Sequence, residues 1–282
     1  MTARQTPDAV AVPPDELSAR CELLRSLHVP GQPLVLPNAW DVPAATAVVE
    51  AGFPAVATTS GGVAAALGYE DHEGAPPQEM MAAAARIARA VDVPVTVDAE
   101  AGYGMEPDEL VAALRAAGAA GCNLEDTDHR SETLRDAAEH AAWLRAVRDA
   151  ASAARYPLTI NARIDVFLAE LLSGSEAGQA ELVEDALERA SAYTEVGADC
   201  VYPIALWEPE PLRRFVVDAP APVNVLRTPQ VEPIPTLAEV GVARVSWGGL
   251  LQRGAVQEFA GTLRSIRAEA DADRGAAPPP TE

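Results

Sequence analysis

Lysine is absent from the 282 residues of this chain. A Schiff-base aldolase, a pyridoxal-phosphate enzyme and a P-loop phosphate binder each require a lysine for their chemistry or for phosphate contact. These three classes are therefore excluded.

Cysteine and histidine are scarce. The three cysteines, at positions 21, 122 and 200, lack metal-type spacing, and the four histidines form no HxH or HExxH pattern. We therefore expect no zinc site. Cys122 and Cys200 fall inside predicted strands, where the expected form is a buried structural thiol.

Long apolar runs and an excess of positive charge are also missing. No apolar run reaches the roughly 18 residues of a membrane span, and the N-terminus has no basic region followed by an apolar segment. The net charge of −21 repels nucleic acid and anionic membranes. We expect a cytoplasmic protein with neither as a partner. Since this charge also repels an anionic substrate, a local arginine or metal must attract it.

The chain does contain apolar, β-prone runs that alternate with alanine-rich amphipathic helices. Residues typical of helix ends bound the predicted helices. Asp41 precedes one that stops at Gly52, and Pro107 begins another that ends at Gly118. The eight candidate strands are 33–36, 54–59, 94–98, 121–125, 157–162, 199–204, 222–226 and 243–247. Eight such β-then-α units predict an α/β fold of the (β/α)8 TIM-barrel type. A doubly wound dinucleotide-binding sheet fits less well because GxGxxG is absent.

Both ends of the chain are rich in proline, alanine and charge. We predict disordered segments at 1–14 and 269–282, around a single barrel domain at 15–268. The stretch 250–268 has a helical period and is predicted to be the last helix.

Charged side chains follow three successive predicted strands. The first leads to Asp98 and Glu100, the second ends in Glu125, and the third leads through Asn161 to Arg163. Alternation along a strand places Asp98 and Glu100 on one face, and Asn161 and Arg163 on one face. Because functional groups of a barrel collect at the carboxyl ends of its strands, we expect them to converge.

Such a cluster has a definite chemical use. Carboxylate oxygens suit Mg²⁺ or Mn²⁺, and an arginine beside them suits an anionic oxyacid. Two alternatives remain open. Each acid can cap a following helix, and Arg163 can form a structural ion pair with Glu125 or Asp165.

The ends of the first two strands carry further candidates. Ser60, Gly61 and Gly62 follow the second strand, where small residues let backbone amides form a carboxylate or oxyanion cradle. A plain flexible loop is the alternative. Downstream, Asp71 and its neighbour His72 are candidates to reach the metal or the reacting atom. Trp40, after the first strand, either shapes the pocket or fills the core.

Five segments, in this order, resemble the isocitrate lyase/phosphoenolpyruvate mutase superfamily. The segments are PNAWD (37–41), TTSGG with ALGYED (58–71), DAEAGYG (98–104), NLED (123–126) and NARIDVF (161–167). The resemblance is to its short-loop branch, which includes methylisocitrate lyase and carboxyphosphoenolpyruvate phosphonomutase. It implies an α/β barrel assembled as a homotetramer or homodimer, with the eighth helix swapped between neighbours.

The resemblance also implies roles for individual residues. Asp98, Glu100 and Glu125 would hold Mg²⁺ largely through water, with Asp71 as a nearby acid. Ser60, Gly61 and Gly62 would grip a pyruvate-like group. Trp40 and Asn161 are further substrate-binding candidates, from their positions on the strands and not from the resemblance. Arg163 would stabilise the enolate or a second anionic group.

Departures from the family pattern bear on the reaction. Lyases carry a KRCGH-type loop after the NLED strand, whose cysteine donates a proton, and phosphonomutases carry a longer loop with lysine and asparagine. Here residues 127–140 contain none of cysteine, lysine and asparagine. His129 or Arg130 either replaces the missing groups or has a solvated, capping role. Glu100 stands where a second aspartate is commoner.

The sequence thus predicts a Mg²⁺-dependent lyase or decarboxylase that cleaves a C–C bond alpha to an oxo- or hydroxy-acid through a metal-stabilised enolate. Its expected catalytic residues are Asp71, Glu125, His129 and Arg163, and its partner is a small oxo- or hydroxy-carboxylate. One alternative is a C–P phosphonomutase or hydrolase of the carboxyphosphoenolpyruvate type. Another is a non-catalytic homologue that binds an oxyacid.

Overall fold

Parallel strands alternate with helices through the computed structural model, which describes residues 12–174 and 178–275, with side chains as far as residue 271. The strands are β1 (Leu34–Leu36), β2 (Asn38–Ala39), β3 (Val56–Thr58), β4 (Val95–Asp98), β5 (Gly121–Glu125), β6 (Thr127–Asp128), β7 (Thr133–Leu134), β8 (Thr159–Ile164), β9 (Cys200–Pro203), β10 (Asn224–Leu226) and β11 (Arg244–Ser246). The helices are α1 (Pro14–Ser26), α2 (Val42–Glu50), α3 (Ser60–Leu67), α4 (Pro77–Ala90), α5 (Pro107–Ala117), α6 (Ala137–Ala153), α7 (Val166–Ser173), α8 (Gln179–Glu195), α9 (Pro209–Asp218), α10 (Ile234–Val240) and α11 (Leu250–Gly275).

The strands close into a barrel. One sheet has the order β2-β3-β4-β5-β8-β9, and a second has β1-β11-β10. A parallel bridge between Val201 and Val223 joins the sheets on one side, and Pro37 links β1 directly to β2 on the other. If β1 and β2 are counted as one interrupted strand, the barrel has eight parallel strands. Each of the eight predicted strand segments overlaps one of them. The (β/α)8 prediction is confirmed, while β6 and β7 form an antiparallel hairpin outside the barrel.

Local sequence signals explain where the helices begin and end. The Asp41 side chain accepts a hydrogen bond from Ala44 N at 2.7 Å and so caps α2. At the end of α5, Gly118 adopts a φ of +76°, which glycine reaches at little cost. Between barrel and helices, side chains such as Leu114 and Phe215 are fully buried. Each contributes about 1.5–3 kcal/mol on transfer from water.

The three cysteines are buried and unpaired, as expected for structural thiols. Burial raises the pKa of Cys122 to about 12. Because the reactive form is the thiolate, a thiol with so high a pKa has little nucleophilic character.

Two expectations about the elements need correction. Residues 60–67, which were expected to belong to a loop after the second strand, form the helix α3. Its Val63 and Ala64 pack against Met80 and Ala83 of α4, and this burial fixes the helix. The last helix continues past 268, so residues 269–275 of the predicted tail are helical. At the other end, residues 12–14 of the predicted tail are described, and Pro14 begins α1. The remaining residues of the two predicted tails, 1–11 and 276–282, lie outside the described residues.

Within the described part of the chain, no helix is both long enough and apolar enough to cross a membrane.

Candidate active site

A cavity of about 310 Å³ lies at the carboxyl ends of the barrel strands, where this fold places its active sites. Six of the eleven residues predicted from the sequence line it: Ser60, Asp71, Asp98, Glu100, Glu125 and Arg163. The other five do not: Trp40, Gly61, Gly62, His129 and Asn161. The acids and the arginine therefore converge as the barrel geometry predicts, whereas parts of the expected substrate cradle do not.

Asp98, the last residue of β4, has its carboxylate fixed from two sides. Its Oδ2 accepts a hydrogen bond from the backbone N–H of Ser60 at 3.0 Å, and its Oδ1 accepts one from Asn123 Nδ2 at 3.4 Å. Ser60 is the first residue of α3, so the positive end of that helix faces the carboxylate. The backbone amide of Ser60, one of the predicted cradle residues, therefore orients Asp98.

Packing leaves no room for a side chain at Gly61 or Gly62. A Cβ atom at position 61 would lie 2.5 Å from Asp71 Oδ2. A Cβ atom at position 62 would lie 2.6 Å from Thr59 Cγ2 and 3.2 Å from Trp40 Cβ. The first glycine thus makes room for the Asp71 carboxylate, and the second lets α3 approach the first strand.

Trp40 fills space beside α3 instead of lining the cavity. It is partly buried and packs against the hydrophobic cluster that contains Val63 and Ala64, as the core-filling alternative predicts.

Glu100 reaches the cavity by an unexpected route. The strand ends at Asp98, so alternation along β4 does not extend to Glu100, whose φ is +48°. Its Oε2 accepts a hydrogen bond from Glu73 N at 2.5 Å, while Glu73 Oε1 accepts one from Tyr103 N at 2.5 Å. Glu73 and its neighbour His72 also have positive φ. Such strain in non-glycine residues clusters at functional sites.

The environment of Glu100 disfavours its charged form. Burial raises its pKa to about 8, and the nearby charges of Asp98 and Glu125 act in the same direction. A cation placed among these carboxylates would reverse that effect.

Glu125 and Arg163 form a buried ion pair. Arg163 Nη1 lies 2.5 Å from Glu125 Oε2, and the same guanidinium contacts the two carboxylate oxygens of Asp165 at 2.6 and 2.8 Å. The structural ion pair left open by the sequence is therefore present. Asp165 fixes the arginine in place, and Arg163 remains on the cavity wall.

His129 acts on the cavity through Glu125. The β6–β7 hairpin places its Nε2 2.6 Å from Glu125 Oε1, outside the cavity wall. Its ring centroid lies 5.3 Å from that of His72, which does line the cavity. The two histidines and Glu125 thus lie side by side between the cavity and the hairpin.

Asn161 lies beneath the cavity instead of on its wall. It is fully buried, and its Nδ2 donates to Asn123 Oδ1 at 2.9 Å. Arg244 Nη2 donates to the same oxygen at 3.0 Å. Both residues thereby position Asn123, the amide that holds Asp98. Arg244 was not predicted, although an arginine inside the apolar run ARVSW (243–247) is a recognisable signal.

Charge is distributed unevenly around the cavity wall. The four carboxylates that line it follow β3, β4 and β5. On the opposite side the wall is formed by neutral groups after β9, β10 and β11, such as Ile204, Thr228 and Trp247, and by one cation, Arg253 of α11. Arg253 was also missed, because its position four residues into a helix resembles an ordinary surface site.

The acidic side has the chemistry that Mg²⁺ prefers, but not the geometry of a closed protein cage. Oxygen donors from Asp71, Asp98 and Glu100 meet at the cavity, and their negative charge is only partly balanced. Among the described residues, however, no three acidic, histidine or cysteine side chains are close enough to bind one ion directly. The predicted water-mediated set of Asp98, Glu100 and Glu125 stays a prediction, and its third member, Glu125, already pairs with Arg163 and His129. The residues fit a hydrated ion held mainly through water.

Known proteins share this fold and sequence. Residues 24–267 match the phosphoenolpyruvate phosphomutase family. A crystal structure from Burkholderia cenocepacia J2315, provisionally named a phosphonomutase, is 42% identical with a TM-score of 0.81, over 87% of this chain and 99% of that one. An uncharacterised protein of Mycobacterium tuberculosis is 35% identical over 85% of this chain and 87% of its own length. The 2-methylisocitrate lyase of Salmonella typhimurium is 31% identical over 70% of each chain.

Proposed function

Because this chain belongs to the phosphoenolpyruvate phosphomutase family, within the isocitrate lyase/phosphoenolpyruvate mutase superfamily, we propose that it is a Mg²⁺-dependent lyase or decarboxylase. Its substrate is a small 2-oxo or 2-hydroxy di- or tricarboxylate, cleaved at a C–C bond next to the oxo or hydroxy carbon. One observation carries the proposal: Asp71, Asp98 and Glu100 converge with Arg163 in one cavity at the carboxyl ends of the strands.

Asp71, Asp98 and Glu100 are the residues that would hold Mg²⁺. The chemistry this ion supplies when bound is Lewis-acid polarisation of a carbonyl oxygen. Asp98 is already oriented for that task, because Ser60 N and Asn123 Nδ2 fix its two oxygens before any ligand arrives. Preorganisation of this kind avoids a reorganisation cost during the reaction.

Arg163 stabilises negative charge that develops on the substrate. Its guanidinium is held rigidly by Asp165, so it presents a fixed positive group to the cavity. Cleavage of a C–C bond leaves an electron pair on oxygen and carbon, and a fixed cation lowers the energy of that state.

A proton must reach the carbon that is left after cleavage. The usual loop cysteine is missing, and among the described residues that line the cavity His72 carries the one imidazole. We assign His72 as the proton donor, with His129 beside it and Glu125 Oε1 sharing the His129 proton at 2.6 Å. An imidazole ring can both donate and accept a proton, which suits this role.

The proposal is tested by titrating oxalate, a mimic of the pyruvate enolate, into the protein by calorimetry with and without Mg²⁺. We expect micromolar binding that requires the metal. In Asp98→Asn the affinity is expected to fall by at least about tenfold, because a charged oxygen ligand becomes a neutral amide. Asp149→Asn, at an exposed position of α6, is the matched control and leaves binding unchanged.

Absence of oxalate binding in the presence of Mg²⁺ would contradict the enzyme proposal and favour a non-catalytic oxyacid-binding role. With binding established, release of pyruvate or glyoxylate from a panel of hydroxy- and oxo-acids identifies the lyase substrate.

C–P bond chemistry is the second candidate, favoured by the provisional name of the 42% identical Burkholderia protein. Conversion of phosphonopyruvate or phosphoenolpyruvate followed by ³¹P NMR distinguishes it from C–C cleavage.

A further inference from the structure

Arg253 is a cation on the cavity wall that the proposed reaction does not yet use. Its guanidinium makes no hydrogen bond or ion pair with any residue that the structure describes, whereas Arg163 is bound by two carboxylates. The chain as a whole carries 42 acidic against 21 basic residues, so an arginine without an acidic partner at a ligand cavity is notable.

The position of Arg253 is set by the loop that precedes its helix. A Cβ atom on Gly249 would lie 2.6 Å from Arg253 Nη1 and 3.8 Å from Thr59 Oγ1. The guanidinium therefore folds back over the bare backbone of Gly249, which also lies close to Thr59. Glycine at 249 leaves the space that the guanidinium occupies.

The charges on the two walls define what fits between them. Asp71, Asp98 and Glu100 stand on one side with the rigid Arg163, and Arg253 stands on the other among neutral side chains. A substrate whose oxo-acid end lies against the acidic side with its metal extends its far end toward Arg253. A cavity of about 310 Å³ is at the small end of ligand sites, so this far end is short.

We propose that Arg253 binds the distal carboxylate of the substrate and makes the enzyme selective for dicarboxylates over monocarboxylic oxo-acids. This inference rests on the proposed function and adds to it the residue that selects the substrate class. A guanidinium pairs with a carboxylate through two parallel hydrogen bonds, which gives direction as well as charge. Arg253 contacts the non-reacting end and takes no part in bond cleavage.

The test uses two unreactive ligands that differ only at the far end. N-Oxalylglycine carries an oxalyl head and a distal carboxylate, and N-ethyloxamate carries the same head with a methyl group in its place. In the Mg²⁺-loaded protein we expect the first to bind about tenfold more tightly than the second. In Arg253→Gln that advantage disappears while N-ethyloxamate affinity stays the same, and Arg253→Lys keeps part of it.

Arg264→Gln is the matched control, because Arg264 is an exposed arginine of the same helix that does not line the cavity. It leaves both affinities unchanged. A dicarboxylate advantage that survives in Arg253→Gln, or a loss that extends equally to N-ethyloxamate, overturns the assignment.

Two further arms separate the remaining possibilities. The phosphonate analogue of N-oxalylglycine tests the distal group: if Arg253 contributes more to its binding than to that of the carboxylate, the carboxylate assignment is wrong. Oxalate tests the proposed function itself. Failure of oxalate to bind overturns both proposals, whereas oxalate binding without an Arg253-dependent advantage overturns only the role of Arg253.

Discussion

His140 of α6 is a buried ionisable side chain that the proposed chemistry does not use. It is fully buried, and neither ring nitrogen has a hydrogen-bond partner among the described residues. Its ring stacks on Trp143 at 5.6 Å and meets the edge of Tyr193 at 5.0 Å. Burial lowers its pKa to about 3, and the charge of Arg135 lowers it further.

This histidine makes the fold sensitive to acid. Its pKa is about 6.5 in the unfolded chain and about 3 in the folded protein, so the unfolded state takes up the proton first. Stability is therefore lost as the pH falls below 6.5. At pH 5 the loss from this one group is about 2 kcal/mol.

We predict that His140→Phe, which keeps an aromatic ring in the same stack, reduces this acid sensitivity. Urea unfolding at pH 7 and pH 5 measures it: the fall in unfolding free energy between the two pH values is about 2 kcal/mol smaller in the variant. His28, whose pKa is lowered to about 4 mainly by burial, is present in both proteins and contributes equally. An identical fall in the two proteins would contradict a neutral buried His140.

Single residues also show how far sequence reasoning reaches into the site. Asp98 and Arg163 were predictable because a charged residue at the end of an apolar strand has a defined position in a barrel. Asn161 was predicted to contact the substrate because alternation along a strand gives the face on which a side chain lies. Alternation does not give the distance of that side chain from the end of the strand. Glu100 reached the cavity through a positive φ that no alternation rule anticipates.

The last helix, α11, carries an apolar face that nothing in the described chain covers. Val256, Phe259, Leu263 and Ile266 are spaced by three or four residues, which places them on one side of the helix. They are 48–63% exposed. A contiguous exposed apolar stripe of this kind is typical of an interface.

We predict that a second copy of the chain covers this face, in agreement with the homodimer or homotetramer expected from the family resemblance. Replacing Phe259 and Leu263 together by glutamate places two charges in the interface and dissociates the assembly. Light scattering coupled to size exclusion then gives a mass near the 29.5 kDa of one chain.

Val217→Glu is the control for this experiment. Val217 is 70% exposed and lies on a different helix, α9, so its substitution is expected to leave the assembly mass unchanged. A monomeric starting protein, or an assembly that survives the double substitution, would show that α11 is not an interface.

Secondary elements were predictable where their signals are local. All eight barrel strands follow from apolar runs bounded by turn residues, and α5 follows from Pro107 and Gly118. Helix α3 was missed because Ser60, Gly61 and Gly62 at its start resemble a loop. Its stability comes from contact with α4, and a tertiary contact of this kind cannot be predicted from the sequence of a short segment.

The charge of the whole molecule opposes the ligand that its cavity is proposed to attract. With a net charge of −21, the protein repels a dicarboxylate at distances beyond the reach of Arg163 and Arg253. Those two cations act at short range at the cavity, where Arg163 is buried and poorly screened and Arg253 is exposed. Approach and binding are thus governed by fields of opposite sign.

This separation predicts an unusual salt dependence. Raising NaCl shortens the Debye length from about 30 Å at 0.01 M to about 8 Å at 0.15 M, which screens the distant acids more than the nearby arginines. The association rate constant of N-oxalylglycine, measured by stopped flow on the Mg²⁺-loaded protein, is therefore expected to rise about two- to fivefold over this range. Arg253→Gln changes the rate at each salt concentration but keeps the upward slope, because that slope arises from the whole surface. A rate that falls with salt would mean that the cavity's positive groups govern approach as well as binding.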